Sequence, residues 1–396
     1  MNIFACPYPE QLISEQQALL LASAEDTATF ALEFLFDQYY LAEPQAIRLL
    51  ALISLQKTAT SISICAAILV SDPPLIAAVE RLTGSISELQ LVARQHRVPW
   101  LELSSPLILD PVKIAKPWGQ EIWYTGMEAR GQSNVIAQGF LTPLPWLLAL
   151  MPAYLTANKP KSIILLKTLD PLPDEVYGDL YFELHEQKQE VYVVTHIDSE
   201  AWPEQTGEMR LGFDREKIAQ FANDDAFKAA YLAAVSDYEK IRRKIDDLLD
   251  AERASRGLGL NIALDMASLS ALMQAVPEEL QLQERQARAE MNSFSAVLPL
   301  QLGDVIKIPC YLPHALQHGV RTIEWQTPVY ERKILSFAQK VLTQSHWDTQ
   351  AAMANVEFTA PPQLLGILSR DKDVLIEEIV KFADFRVLRI NLGAGQ

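Results

Sequence analysis

Cysteine, glycine and positive charge are all in short supply in this chain. Three cysteines, Cys6, Cys65 and Cys310, are spread over 396 residues. They are too few and too scattered for a disulfide framework and point to a reducing compartment. Lys and Arg number 34 against 50 Asp and Glu, a formal net charge of −16. No basic cluster interrupts that acidity, which argues against a nucleic-acid partner because such a field repels polyanions. A small anionic substrate stays compatible wherever a few Lys and Arg converge. The chain also lacks an unbroken apolar run of membrane length. Its most apolar stretch, residues 47–70, is interrupted by Gln56, Lys57 and a run of Thr and Ser, and reads as buried helix rather than a membrane span. No basic segment followed by an apolar core opens the sequence, so no signal peptide is expected. A soluble, cytoplasmic protein is the expectation.

What is present is an ordinary globular balance, 49% hydrophobic and 21% charged, enough for two or three domains. Residues 1–97 are rich in Ala, Leu, Ile and Gln. Stretches 27–40, 44–55 and 74–82 read as helices, with Asp26 as an N-cap and Ser85 with Glu88 as a capping box. This predicts a helical accessory domain over 1–97, serving equally well as a surface for homo-oligomer formation. Recurring prolines from Pro99 to Pro117 break helix and mark a boundary, leaving 98–396 as the second domain. Short runs rich in β-branched and aromatic residues follow at 163–166, 179–185 and 190–196, and resume at 294–298, 305–308, 320–325 and 385–392. Between them, 213–290 is a helical insertion in which Phe227, Tyr231, Val235, Tyr238, Ile245 and Leu248 recur at helical spacing. Segregated helices and short strands predict an α+β protein with an antiparallel sandwich or barrel core.

Chemistry concentrates in two segments. Gly178-Asp-Leu-Tyr-Phe-Glu183-Leu-His185 runs on to Glu190, and Gly303 leads through Pro309 and Tyr311 to Pro313-His314. A spacing of two puts Glu183 and His185 on one face of a strand. Glu183, His185, Glu190 and His314 supply two carboxylates and two imidazoles, a four-ligand set for a divalent metal with positions open to substrate.

At these residues the chain resembles a cupin. Gly178, Glu183-x-His185 and Glu190 keep the spacing of the first cupin motif, with Glu in place of its first His. Gly303, Pro309 and His314 keep that of the second, with Tyr311 where that motif has Gly. Around them, Lys116-Pro-Trp118-Gly119-x-Glu121-x-Trp123, Leu165-Leu-Lys167-Thr-Leu-Asp170 and the segments Glu324-Trp-Gln326 and Tyr330-Glu-Arg332 resemble the type I phosphomannose isomerases. The resemblance covers about residues 112–335 and includes the helical insertion. It implies a jelly-roll barrel, a bound divalent metal and aldose–ketose isomerisation of a sugar phosphate. Zinc is the first choice of metal. A second carboxylate, Glu183 for the family's neutral Gln, lowers Lewis acidity and widens the choice to iron, manganese or nickel.

Isomerisation needs a base at the sugar C1–C2 edge and positive charge on the developing oxyanion. Glu324 is the candidate base, or the residue that orients it. Arg332 and Lys188 are candidates for the catalytic cations. Lys167 is placed on oxyanion or phosphate, and Trp118 is a pocket wall against substrate or a core aromatic. Two other readings of the same ligands stand beside this one: a metal- and sugar-binding cupin without catalysis, and an iron-dependent dioxygenase.

Overall fold

The computed structural model describes residues 1–41, 43–151 and 163–393. They form two compact units, one of residues 1–113 with 123–165, the other of 114–122 with 166–396. The division falls at Lys113, not at 97, because strand Leu101–Glu102 pairs with Cys65 and Ala66 and carries the chain on within the first unit.

The first unit corrects the helical expectation for 1–97. Its centre is a five-stranded sheet in the order Ile3–Ala5, Thr27–Asp37, Ala46–Lys57, Ile62–Val70, Leu101–Glu102. Stretches 27–40 and 44–55 are therefore strands, and 47–70 is a hairpin turning at Thr58–Ser61. Asp26 caps no helix; its carbonyl accepts the Lys57 N–H. The physical reason lies in the central strand. Leu49, Ala51, Ile53 and Leu55 face one apolar cluster, while Leu50 and Leu52 face another. A strand covered on both faces is apolar without alternation, and such a run cannot be told from buried helix by periodicity. Helices do form at Pro9–Ala22, Pro73–Glu80 and Ile86–Gln95. The last opens on the Ser85–Glu88 capping box read from the sequence.

The second unit is α+β with antiparallel pairing, and realises the barrel expectation as two open sheets. A six-stranded sheet runs in the order Val305–Ile308, Glu190–Ile197, Val320–Gln326, Leu165–Pro171, Gly119–Trp123, Val112–Lys116. A five-stranded sheet runs Ser295–Leu300, Gly207–Phe213, His314–Leu316, Phe182–Leu184, Lys333–Ser336. One core cluster includes Trp118, Tyr192, Met209, Ile308 and Ile334 from both sheets. Helices lie at Arg215–Ile218, Asp224–Ser255, Met266–Met273 and Glu278–Asn292. The long helix is capped by the Asn223 side chain and buries Phe227, Tyr231, Val235, Tyr238, Ile245 and Leu249. Leu248 is 38% exposed and Leu249 takes its place, because a 3.6-residue turn drifts against a strict seven-residue repeat. A three-stranded sheet, Gly366–Arg370, Val374–Lys381 and Arg386–Leu392, ends the described chain.

Candidate metal centre

The two sheets bring the segments singled out by sequence to one place. Glu183 and His314 are directly paired on adjacent strands of the five-stranded sheet. His185 follows Glu183 by two residues, beyond the strand end. Glu190 opens a central strand of the six-stranded sheet, opposite Gln326, with Tyr192 opposite Glu324. Alternation then puts Glu190, Tyr192, Glu324 and Gln326 on one face.

Ligand atoms of Glu183, His185 and His314 all lie within 4.8 Å of one another. Glu190 adjoins them, 3.4 Å from His185 Nε2 and 3.2 Å from His314 Nε2. Both imidazoles are turned the same way. His185 Nδ1 lies 2.9 Å from the Glu331 carbonyl and His314 Nδ1 lies 3.0 Å from the Leu312 carbonyl. A carbonyl only accepts, so Nδ1 carries the hydrogen in each ring and Nε2 presents a lone pair. Burial, with the nearby Lys188 ammonium, holds the His185 pKa well below the usual imidazole value, so that ring is neutral.

Glu190 is ionised. Burial works against its charge most, but the Lys188 ammonium at 2.7 Å together with His185 and His314 outweighs burial and holds the carboxyl well below its usual range. The Tyr192 hydroxyl donates to its other oxygen at 2.8 Å. Two Nε2 atoms and carboxylate oxygens thus converge in a buried site. His185 Nε2, His314 Nε2 and Glu183 Oε2 are all buried without a hydrogen-bond partner. Such a set repels itself unless a cation binds it, and its N,O composition suits a divalent transition metal. The residues present fit the metal that the resemblance implies.

A row of alternating charge crosses the six-stranded sheet toward this cluster. Lys116 lies 3.0 Å from Glu121 Oε1, Lys167 lies 3.8 Å from Glu121 Oε2, and Lys167 lies 3.3 Å from Glu324 Oε2. Burial disfavours charge on Lys167, but Glu121 and Glu324 outweigh it and raise its pKa, so the ammonium persists. Glu324 is 1% exposed. Burial first, then the Glu190 charge, push its carboxyl well above the usual range against the pull of Lys167. It is therefore the protonatable member of the row.

Arg332 lies 3.7 Å from Glu183 Oε2, stacks 4.6 Å over the Tyr181 ring and donates to Thr343 Oγ1 at 2.6 Å. Lys188, Lys167, Glu324 and Arg332 are all gathered here. Trp118 is the exception among the expected site residues. It is 1% exposed in the apolar core, packed there because its large ring fills the space between sheets, so its expected place as a wall against substrate is corrected to core packing.

Sequence reasoning assigned no role to Lys116, Glu121, Tyr192 or Glu331. Lys116 and Glu121 stood inside the quoted Lys-Pro-Trp-Gly segment, and Tyr192 shares the face of Glu190 by strand alternation. Glu331 stood inside the quoted Tyr330-Glu-Arg332 segment, but its role had no signal, since it depends on a contact with residues 185–187 far away in sequence. Tyr311 sits at φ 68°, the left-handed region, and its N–H donates to the His185 carbonyl at 2.6 Å. This is a conformation that glycine adopts more readily than tyrosine.

No family model and no curated protein matches the sequence. Solved structures do. One is the mannose 6-phosphate isomerase of Bacillus subtilis, at 12% identity over 73% of this chain and 81% of that chain, with a TM-score of 0.45. Another is an arginine-to-alanine mutant of phosphomannose isomerase from Salmonella typhimurium, at 14% identity over 71% of this chain and 81% of that chain, with a TM-score of 0.43. A zinc-bound mannose 6-phosphate isomerase is similar at 14% identity over 71% of this chain and 82% of that chain, with a TM-score of 0.39. Among the described residues no helix is long and apolar enough to cross a membrane.

Proposed function

We propose that this chain is a metal-dependent aldose–ketose isomerase acting on a sugar phosphate, of the mannose-6-phosphate isomerase type. The observation that supports it most is a lone-pair cluster beside a buried carboxyl of raised proton affinity: Glu183, His185 and His314 with Glu190, next to Glu324. Glu183, His185, Glu190 and His314 would hold the metal, zinc first. A bound divalent ion supplies Lewis acidity toward the sugar carbonyl and hydroxyl oxygens.

The remaining work falls to the protein's own groups. In its ionised form Glu324 takes the proton from C2 of the aldose and returns it to C1, a shuttle that suits a carboxyl whose pKa is raised above the ordinary carboxylate range. Lys167, 3.3 Å away, holds the Glu324 carboxylate in place before it takes the proton and after it returns it. Lys188 and Arg332 set positive charge beside the ligand carboxylates Glu190 and Glu183, where an oxyanion or phosphate gains from it. Trp118 and its core neighbours keep that side of the sheet dry, which strengthens every one of these interactions.

The test is interconversion of mannose 6-phosphate and fructose 6-phosphate by zinc-loaded protein. Turnover is expected. Metal-replete protein that binds sugar phosphate without turning it over would move the reading to a binding cupin, and oxygen consumption with iron(II) would move it to a dioxygenase.

A further inference from the structure

We infer that Glu331 is the positioning residue for His185, setting the direction in which that imidazole presents its lone pair. The inference rests on the metal reading above. Segment 331–333 reaches every residue of 183–187. Arg332 lies 3.7 Å from Glu183, Leu184 pairs with Lys333, and the Glu331 carbonyl takes His185 Nδ1–H at 2.9 Å. The Glu331 carboxylate then turns back. Its Oε2 accepts the N–H of Glu186 at 2.8 Å and of Gln187 at 3.1 Å.

One residue therefore fastens the imidazole and the turn that follows it. The two consecutive N–H groups form a small positive concavity suited to a carboxylate. Strand pairing already fixes 182–184, so the carboxylate adds little to holding the strand. It acts on what lies beyond the strand end, where the Tyr311 N–H holds the His185 carbonyl at 2.6 Å but only the Glu331 carboxylate takes the N–H groups of Glu186 and Gln187. The Lys333–Glu186 pair at 2.6 Å also crosses this junction, with both side chains about a quarter exposed, and an ion pair so wetted is a weak tether. Glu331 Oε1 is buried without a partner, a cost that a purely structural staple has no reason to carry.

The experiment compares wild type with Glu331→Ala, Glu331→Gln and Glu331→Asp in the full chain. Zinc dissociation constants come from chelator competition, and the His185 ring tautomer comes from nitrogen NMR of metal-free protein. Glu331→Gln keeps an acceptor oxygen within reach of both N–H groups and should bind zinc within a few-fold of wild type. Glu331→Ala should lose about 10–100-fold, as residues that orient a metal-bound histidine do. Glu331→Asp keeps the charge but falls short by a methylene, and should lose affinity as Ala does. In metal-free protein the Nδ1–H tautomer should dominate in wild type and mix with the other in the Ala and Asp variants. Wild-type zinc affinity in both Ala and Asp variants, or an unchanged tautomer, overturns the inference. Should wild type itself bind no zinc, the metal reading fails, and the tautomer comparison still decides the role of Glu331.

Discussion

The two units bury different things. Among the described residues, the first unit buries apolar side chains and only neutral polar ones, Ser54, Ser133 and Thr142. The second buries Glu121, Lys167, Glu190 and Glu324 on the six-stranded sheet with His185, Lys188 and His314 beside them, and on its helices Arg242, Asp246, Arg253 and Glu284. Both units have well-covered sheets, so coverage does not separate them. Burying charge costs free energy that a fold alone has no need to spend, and replacing such groups with apolar ones is often neutral or stabilising. The buried charges on the helices are paired structurally, as Arg242 is with Asp246; the charged row stands apart by running up to the unpartnered Nε2 atoms of His185 and His314, while the apolar sheet of the first unit is packing.

The contrast can be tested by substitution in each unit. Glu324→Gln removes the proton shuttle but keeps shape and burial. It should lower kcat about 10²–10⁴-fold, the usual share of a general acid–base group, with zinc content unchanged. Steady-state kinetics with metal analysis of the same sample reads both. Ile53→Ala strikes the buried central strand of the first unit. Denaturant unfolding should show a loss of about 2–5 kcal/mol, while kcat of the folded fraction stays at the wild-type level. An equal fall in kcat would erase the division of labour.

Tyr311→Gly should change stability far less. Relief of left-handed strain, about 1–2 kcal/mol, is offset by the about 0.5–1 kcal/mol that glycine's freedom costs. A net gain between zero and about 1.5 kcal/mol in chemical denaturation is expected.

Smallest are two pH effects of opposite sign. In the first unit Glu88 accepts the Thr83 hydroxyl and the N–H groups of Thr83, Gly84 and Ser85, and its carboxyl is lowered first by that hydroxyl. A depressed folded pKa gives stability that is present above the unfolded value and lost as pH falls through the folded one. In the second unit the raised Glu324 binds its proton more tightly folded than unfolded. Its contribution is present below the unfolded value and lost as pH rises through the folded one. Glu88→Gln should flatten the acid limb of the stability–pH curve, and Glu324→Gln the limb above the ordinary carboxylate range. Parallel shifts from both variants would contradict the contrast.

Legibility in the sequence followed the same divide. Glu183, His185 and His314 were readable because strand alternation and motif spacing are local, and the pairing of Glu183 with His314 then brought them together. The Ser85–Glu88 box was readable for the same reason. Strands Thr27–Asp37 and Ala46–Lys57 were not. Burial on both faces removes the two-residue period, and their Ala and Leu content suits a helix as well as a strand. The Lys116–Glu121–Lys167–Glu324 row was only half visible. Each residue stood in a noticed segment, but the order of strands that aligns them is a tertiary fact. The role of Glu331, though the residue stood in the quoted Tyr330-Glu-Arg332 segment, was invisible because its partners, Glu186 and Gln187, offer backbone N–H groups that every sequence has.

Metal stoichiometry of the purified wild type against His314→Ala tests the central claim most directly. His314 Nε2 is buried, unpartnered and 3.2 Å from Glu190, so its loss should remove bound metal rather than unfold the sheet. The account predicts a single tightly held divalent ion per chain in wild type. It predicts loss of that ion, well beyond the about 100-fold weakening typical of a supporting residue, in a His314→Ala variant that remains folded by circular dichroism. Wild type without stoichiometric metal, or a variant that keeps its full complement, would contradict it.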